Sequence, residues 1–228
     1  MIGMLASVNS VPEALLVLSA DVDIIDLKQP ALGALGALDG DSVKQIVAEI
    51  SGRCLISATI GDLPMQPNVV FDAVKAMVET GVDYIKIGFF PGDDWLGTVK
   101  KLSLLTSQNH ALIAVLFADT EPNLAVLSLL KEAGFTGVML DTMNKQKGSL
   151  TQLMTKMEIS QFVNQATGLG LLCGLAGSLR LADIPELMSF RPDYLGFRGA
   201  LCQEHNRVGQ LNNQAVRKIK AAMALPVI

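Results

Sequence analysis

The stretch Asp23-Ile24-Ile25-Asp26-Leu27-Lys28 encloses an apolar run between charged residues and ends with a carboxylate and an amine two positions apart. On a strand, residues i and i+2 point the same way. Asp26 and Lys28 are therefore expected side by side on one face, at the carboxyl end of a buried strand, where α/β barrels often mount their catalytic groups. Asp23 sits at the opposite end and is expected to help start the strand. The same spacing also suits an ion pair at a strand end, so the rest of the chain has to decide between the two readings.

Outward from this stretch, short β-rich runs alternate with longer amphipathic segments, the rhythm of βα units around a parallel sheet. Eight strands are predicted: Met4–Val8, Ile24–Lys28, Cys54–Ile60, Tyr84–Phe90, Ala111–Ala118, Gly137–Leu140, Leu171–Leu175 and Tyr194–Phe197. Helices are predicted over about 11–18, 41–50, 68–80, 95–107, 124–133, 151–167 and 213–223, with Asn9 or Ser10 capping the first and Asp41 the second. The Gly- and Ala-rich segment 29–38 has the length of a loop that closes over a ligand. No linker or repeat beyond the βα rhythm interrupts the 228 residues. The chain thus reads as one (β/α)₈ barrel domain over 1–228, within the size range of that fold. A flavodoxin-like or Rossmann sheet is the alternative. Its Gly-rich dinucleotide fingerprint is absent after the first strand, where Asn9-Ser10-Val11-Pro12 stands instead.

Composition narrows the function. Half the residues are hydrophobic, yet charges recur throughout and no apolar run approaches the ~20 residues of a membrane span. Neither a secretory signal nor a transit peptide is indicated at the start, so a soluble, cytoplasmic protein is expected. The net charge is −4 and no basic stripe occurs, which argues against nucleic acid as a partner. Cys54, Cys173 and Cys202 are odd in number and far apart; they read as reduced and buried, and no zinc site is expected. Apolar helix faces are compatible with a homo-oligomer.

The charges then converge. Lys86 lies inside the apolar fourth run, where burying an amine is expensive without a purpose. Asp119 and Asp141 end the fifth and sixth strands. If the runs close into a barrel, Asp26, Lys28, Lys86, Asp119 and Asp141 gather at its carboxyl-terminal mouth. Two lysines in one desolvated pocket lower each other's pKa. A neutral amine can attack a carbonyl to give a Schiff base, with carboxylates carrying protons or holding the second lysine protonated. Gly177-Ser178 and Arg198-Gly199-Ala200 follow strands seven and eight, where barrels often bind phosphate through backbone N–H groups, and Arg198 is expected to add a charged contact. Asp62 in Gly61-Asp62-Leu63-Pro64 reads as a turn former. Lys145 and Lys147 read as solvated loop residues, His110 as structural and His205 as without a partner. These features predict a class I aldolase-like carbon–carbon bond former acting on a sugar phosphate. The Asp-x-Lys-x-x-Asp array of orotidine-phosphate-type decarboxylases is not met, because position 31 is Ala31.

A set of ordered segments carries a more specific likeness: Asp-Ile-Ile-Asp-Leu-Lys-Gln-Pro over 23–30 with Gly33-Ala34-Leu35-Gly36, Ser57-Ala58-Thr59-Ile60-Gly61-Asp62, Asp83-Tyr84-Ile85-Lys86-Ile87-Gly88, Met139-Leu140-Asp141-Thr142, Leu175-Ala176-Gly177-Ser178 and Phe197-Arg198-Gly199-Ala200. In these the chain resembles the (5-formylfuran-3-yl)methyl phosphate synthases, also called 4-(hydroxymethyl)-2-furancarboxaldehyde-phosphate synthases, of methanofuran biosynthesis. The resemblance implies a TIM barrel that condenses two molecules of glyceraldehyde 3-phosphate, one isomerised to the dihydroxyacetone phosphate level, with loss of water and one phosphate. It further implies Lys28 as the Schiff-base lysine, Lys86 as proton acceptor, and Asp26, Asp141 and Lys145 as supporting groups, with no metal or organic cofactor.

Overall fold

The computed structural model describes residues 2–92 and 94–224. The two ends of the expected 1–228 domain and residue 93 lie outside the described residues. Eight parallel strands close into a barrel in sequence order: β1 (Gly3–Val8), β2 (Ile24–Leu27), β3 (Leu55–Thr59), β4 (Tyr84–Gly88), β5 (Leu112–Phe117), β6 (Gly137–Asp141), β7 (Leu172–Leu175) and β8 (Tyr194–Phe197), with β8 pairing back onto β1. The fold is the single-domain (β/α)₈ barrel expected from the βα rhythm, and the open-sheet alternative is excluded. Around it run α1 (Val11–Leu18), α2 (Gly40–Ile50), α3 (Pro67–Val78), α4 (Trp95–Thr106), α5 (Val126–Glu132), α6 (Leu150–Leu153), α7 (Lys156–Gly168), α8 (Ile184–Ser189) and α9 (Asn213–Met223). No helix among the described residues is long and apolar enough to cross a membrane.

Three local differences from the sequence reading have clear causes. The expected helix over 151–167 is two helices, because Ser149 and Thr155 each build a capping box, with Gln152 and Glu158 respectively, and Met154 between them is extended. Asp39, rather than Asp41, caps α2 by accepting from the Ser42 amide. Helix α8 was not expected; it has only six residues, too few to show a helical period.

Strand alternation divides the apolar residues into two clusters. One face of each strand, with Met4, Ala6, Ile25 and Leu27 among others, packs outward against the helices. The other lines the barrel with Leu5, Ile113, Val115, Phe117, Met139 and Tyr194. Ala34 and Leu35 of the 29–38 loop join this inner cluster, so the loop folds into the mouth of the barrel rather than over open solvent. Strand starts are fixed by aspartates: Asp23, Asp83 and Asp193 accept from the amides of Met4, Ile56 and Cys173 on the preceding neighbour strands, each at 2.7 Å. Asp23 does help start its strand, as expected, and also pairs with Lys220 at 2.8 Å.

Gly137 opens β6 in close contact with β5 and β7. A Cβ there would stand 2.6 Å from the Leu172 carbonyl oxygen and 2.9 Å from Ile113 Cδ1. The backbone contact cannot yield without shifting β7. Gly137→Ala is expected to cost about 1–3 kcal/mol of stability, read as a lower urea midpoint at unchanged slope; an unchanged midpoint would show that the strands separate freely.

Candidate active site

Parallel pairing places Ser7 and Ser57 directly opposite Asp26 on its two neighbour strands. All three side chains face inward. Ser7 Oγ donates to Asp26 Oδ2 and Ser57 Oγ to Oδ1, both at 2.7 Å. The Lys86 Nζ reaches across from β4 to lie 2.6 Å from Oδ1, and both charged side chains are sealed from solvent. Burial pushes the Asp26 carboxyl up, but the Lys86 ammonium, the Lys28 charge and the hydroxyl donors outweigh it and hold the group below the usual carboxylate range.

A second ion pair lies on the far side of the mouth. Asp141 ends β6, and the chain turns so that Lys145, four residues on, returns its Nζ to within 2.5 Å of Asp141 Oδ1 and bonds the Thr142 carbonyl as well. Burial again opposes the carboxylate, yet Lys145, Lys28 and the Thr142 amide hold its pKa below the ordinary value. The Lys145 side chain is only 15% exposed. It is not the solvated loop lysine that composition suggested. Lys147, by contrast, is exposed as expected.

Between these pairs stands Lys28. Its amide continues the ladder by donating to the Val8 carbonyl, and its side chain is buried with 6% exposure. Among the described residues no carboxylate lies within ion-pair distance of its Nζ. Desolvation brings its pKa down to about 8; Asp141 and Asp26 pull upward from a distance, while Lys86 and Lys145 add to the depression. Of the three amines Lys28 is the one without a salt-bridge partner, placed where a carbonyl could reach it.

Lys28, Lys86, Asp26, Asp141 and Lys145 line one open cavity of about 140 Å³ together with Gly177, Ser178, Arg198 and Gly199. Ala200 is buried behind it. Gly177 and Ser178 adopt left-handed backbone, with φ of 109° and 51°, and the chain after β8 makes a single 3₁₀ turn, Gly199–Leu201. The amides of Gly177, Ser178, Gly199 and Ala200 donate to no backbone carbonyl among the described residues.

Two expectations need correction. Arg198 is not available to bind substrate. Its guanidinium is turned into the structure, where Nη1 and Nη2 meet the Glu13 carboxylate at 2.5 and 3.3 Å, and the remaining N–H groups go to the carbonyls of Ser7, Arg207 and Gly209. All five donors are engaged. Asp119 does not join the cluster either: its two oxygens accept from the Met143 and Asn144 amides, fixing the loop that carries Lys145. Asp62 is more than a turn former, since it accepts from the Ala34 and Leu35 amides and clamps the loop after Lys28. Sequence reasoning missed Ser7, Arg180 and Arg207, which also line the cavity. Only the strand register reveals Ser7. All three cysteines are free, Cys54 half-buried and the other two buried. Among the described residues no group of three or more His, Cys, Asp or Glu could hold a metal.

The profile of the 4-HFC-P synthase family matches residues 4–220. The chain belongs to this family. A Methylorubrum extorquens protein, whose name assigns it the same synthase activity provisionally, is 40% identical over 96% of this chain and 91% of its own. The (5-formylfuran-3-yl)methyl phosphate synthase of Methanocaldococcus jannaschii is 32% identical over 95% of this chain and 97% of its own. Among solved structures, 3-hexulose-6-phosphate synthase from Salmonella typhimurium superposes with a TM-score of 0.70 at 15% identity, covering 97% of this chain and 98% of that one. At that identity the likeness establishes the barrel alone. Membership of the synthase family makes the chain an enzyme and agrees with the resemblance in the ordered segments.

The Arg198–Glu13 pair predicts a large structural effect. Arg198→Gln leaves the Glu13 carboxylate buried without its counter-charge and is expected to cost about 3–5 kcal/mol of stability, measured by urea unfolding. A loss below 1 kcal/mol would mean that Arg198 is free to serve the cavity after all.

Proposed function

We propose that the enzyme condenses two molecules of glyceraldehyde 3-phosphate, one first isomerised to the dihydroxyacetone phosphate level, into (5-formylfuran-3-yl)methyl phosphate for methanofuran-type cofactor biosynthesis. One observation carries the reading: an unpaired buried amine, Lys28, stands between two lysine–carboxylate pairs in the mouth of a barrel whose relatives bear this synthase name. In this reading Lys28 Nζ attacks the substrate carbonyl carbon, and the resulting carbinolamine must lose its hydroxyl as water.

That departure needs a proton, and the ion-paired Lys86 ammonium is the donor nearest Asp26. Having given up its proton, Lys86 becomes the base that removes one from the carbon next to the iminium, which gives the enamine. Its role as proton acceptor is thus the second half of a cycle that begins as a donor. Asp26, held by Ser7 and Ser57, keeps the Lys86 amine in place through both transfers. The enamine expels the C3 phosphate of the glyceraldehyde unit as inorganic phosphate, leaving an enol whose terminal carbon attacks the ketone carbon of dihydroxyacetone phosphate. The Lys145 ammonium beside Asp141 supplies a proton to the new alkoxide. The free hydroxymethyl of that unit then closes onto the neighbouring carbonyl, and loss of two waters leaves the furan. Hydrolysis of the Schiff base returns Lys28. The overall balance is two triose phosphates to one furan aldehyde phosphate, one inorganic phosphate and two waters. The glycine turns after β7 and β8 offer their amides to a substrate phosphate.

Lys28→Arg is expected to abolish product formation while preserving the fold, since a guanidinium cannot act as the amine nucleophile. The pH dependence has a defined sign. The reactive amine is populated as pH rises through about 8, so kcat/KM should climb about tenfold per pH unit below that value and level off above it. Product analysis of the wild type by mass spectrometry after incubation with glyceraldehyde 3-phosphate is the direct test. Aldol exchange without a furan would assign a different class I aldolase reaction, and near-normal turnover by Lys28→Arg would refute the mechanism.

A further inference from the structure

We infer that Arg180 is the side-chain ligand of the substrate phosphate, reaching from the turn after β7 to the turn after β8 and occupying the role for which Arg198 is unavailable. The inference rests on the reading that this mouth takes a phosphate monoester, and it adds a residue that the ordered segments shared with the family do not include.

The decisive observation is an orphaned donor. Among the described residues, Arg180 Nη1 is the one buried side-chain nitrogen or oxygen without a hydrogen-bond partner. Leaving a charged N–H buried and unpaired is costly, so protein interiors avoid it unless the group is meant for something that arrives later. The closest carboxylate along the chain is already committed: Asp183 accepts from the Arg180 backbone amide at 2.7 Å and from Thr151 Oγ1 at 2.8 Å. Asp183 therefore fixes the backbone of Arg180 and leaves its guanidinium uncompensated. Arg198 presents the opposite case, with every N–H taken.

Position supplies the second half of the argument. Arg180 lines the same cavity as Lys28. A Cβ built on Gly199 would lie 3.5 Å from Arg180 Nη1 and 3.8 Å from Arg207 Cβ, so the guanidinium end meets the β8 turn over a residue that lacks a side chain. Gly177 and Ser178, just before Arg180, have left-handed backbone and line the same cavity. A planar fork beside two turns whose amides donate to no backbone carbonyl among the described residues matches the several oxygens of a phosphate monoester dianion. Arg207 flanks the other side, but one of its donors is already spent on the Gly33 carbonyl, tying the β8 loop to the loop after Lys28.

The probe is sn-glycerol 3-phosphate, which keeps the phosphate of a triose phosphate but has no carbonyl and so cannot react with Lys28. Its binding to wild type, Arg180→Gln and Arg180→Lys is measured by calorimetry, alongside the thermal midpoint of each. Arg180→Gln is expected to weaken binding at least tenfold and Arg180→Lys to restore part of it, with neither variant less thermally stable than wild type, because the removed group has no protein partner to strand. In the synthase reaction the loss should appear mainly in KM. Binding by Arg180→Gln within twofold of wild type, or no binding by wild type, overturns the assignment. If the glutamine variant is insoluble, a lysine variant that binds like wild type overturns it equally. A wild type that binds the probe but forms no furan removes the proposed reaction and leaves Arg180 assigned.

Discussion

The buried contact between Asp26 and Lys86 is the constraint on which the rest of the mouth depends. Two opposite charges sealed inside a barrel lose their hydration and recover it only through near-ideal partners. Here the recovery is complete on the carboxylate side: two serine hydroxyls and one ammonium occupy it. Because the serines are fixed by strand register, the carboxylate is fixed, and because the carboxylate is fixed, so is the amine of Lys86. Lys28 lies two residues beyond Asp26 on the same strand face, close enough to feel both charges and without a salt-bridge partner. The arrangement makes one lysine different from the other two by geometry, before any chemistry occurs.

That difference has an energetic cost. A depression of the Lys28 pKa from 10.5 to about 8 corresponds to about 3 kcal/mol of folded-state penalty. The unfolded chain binds more protons between those values, so the penalty is fully present below about pH 8 and is relieved as pH rises from there toward 10.5. Arg180 adds a second unfavourable term of the same kind. Elsewhere the charged groups of the mouth stabilise their surroundings: Glu13 and Arg198 tie α1 to the β8 loop, while Asp62 and Asp119 hold the loops that follow Lys28 and precede Lys145. The two groups that carry these unfavourable terms, Lys28 and Arg180, both line the cavity.

Much of this was legible in the sequence, for identifiable reasons. The barrel followed from eight apolar runs separated by amphipathic segments, and the catalytic candidates from charges placed where an apolar strand ends, as with Lys28, or interrupted within one, as with Lys86. What one dimension could not supply was partnership. Ser7 becomes significant only when β1 lies beside β2, and Arg198 and Arg180 exchange roles only because Glu13, far away in the chain, meets one and not the other. Lys145 looked solvated because its loop is polar; its return to Asp141 depends on Asp119 holding the intervening backbone. Composition carries none of these contacts.

The central claim is that Lys28, among three lysines in one mouth, is the nucleophile. Borohydride reduction during incubation with glyceraldehyde 3-phosphate, followed by peptide mass mapping, tests it most directly. The account predicts a single triose phosphate adduct on the peptide containing Lys28, formed faster as pH rises through 8. An adduct on Lys86 or Lys145, with Lys28 unmodified, would contradict it.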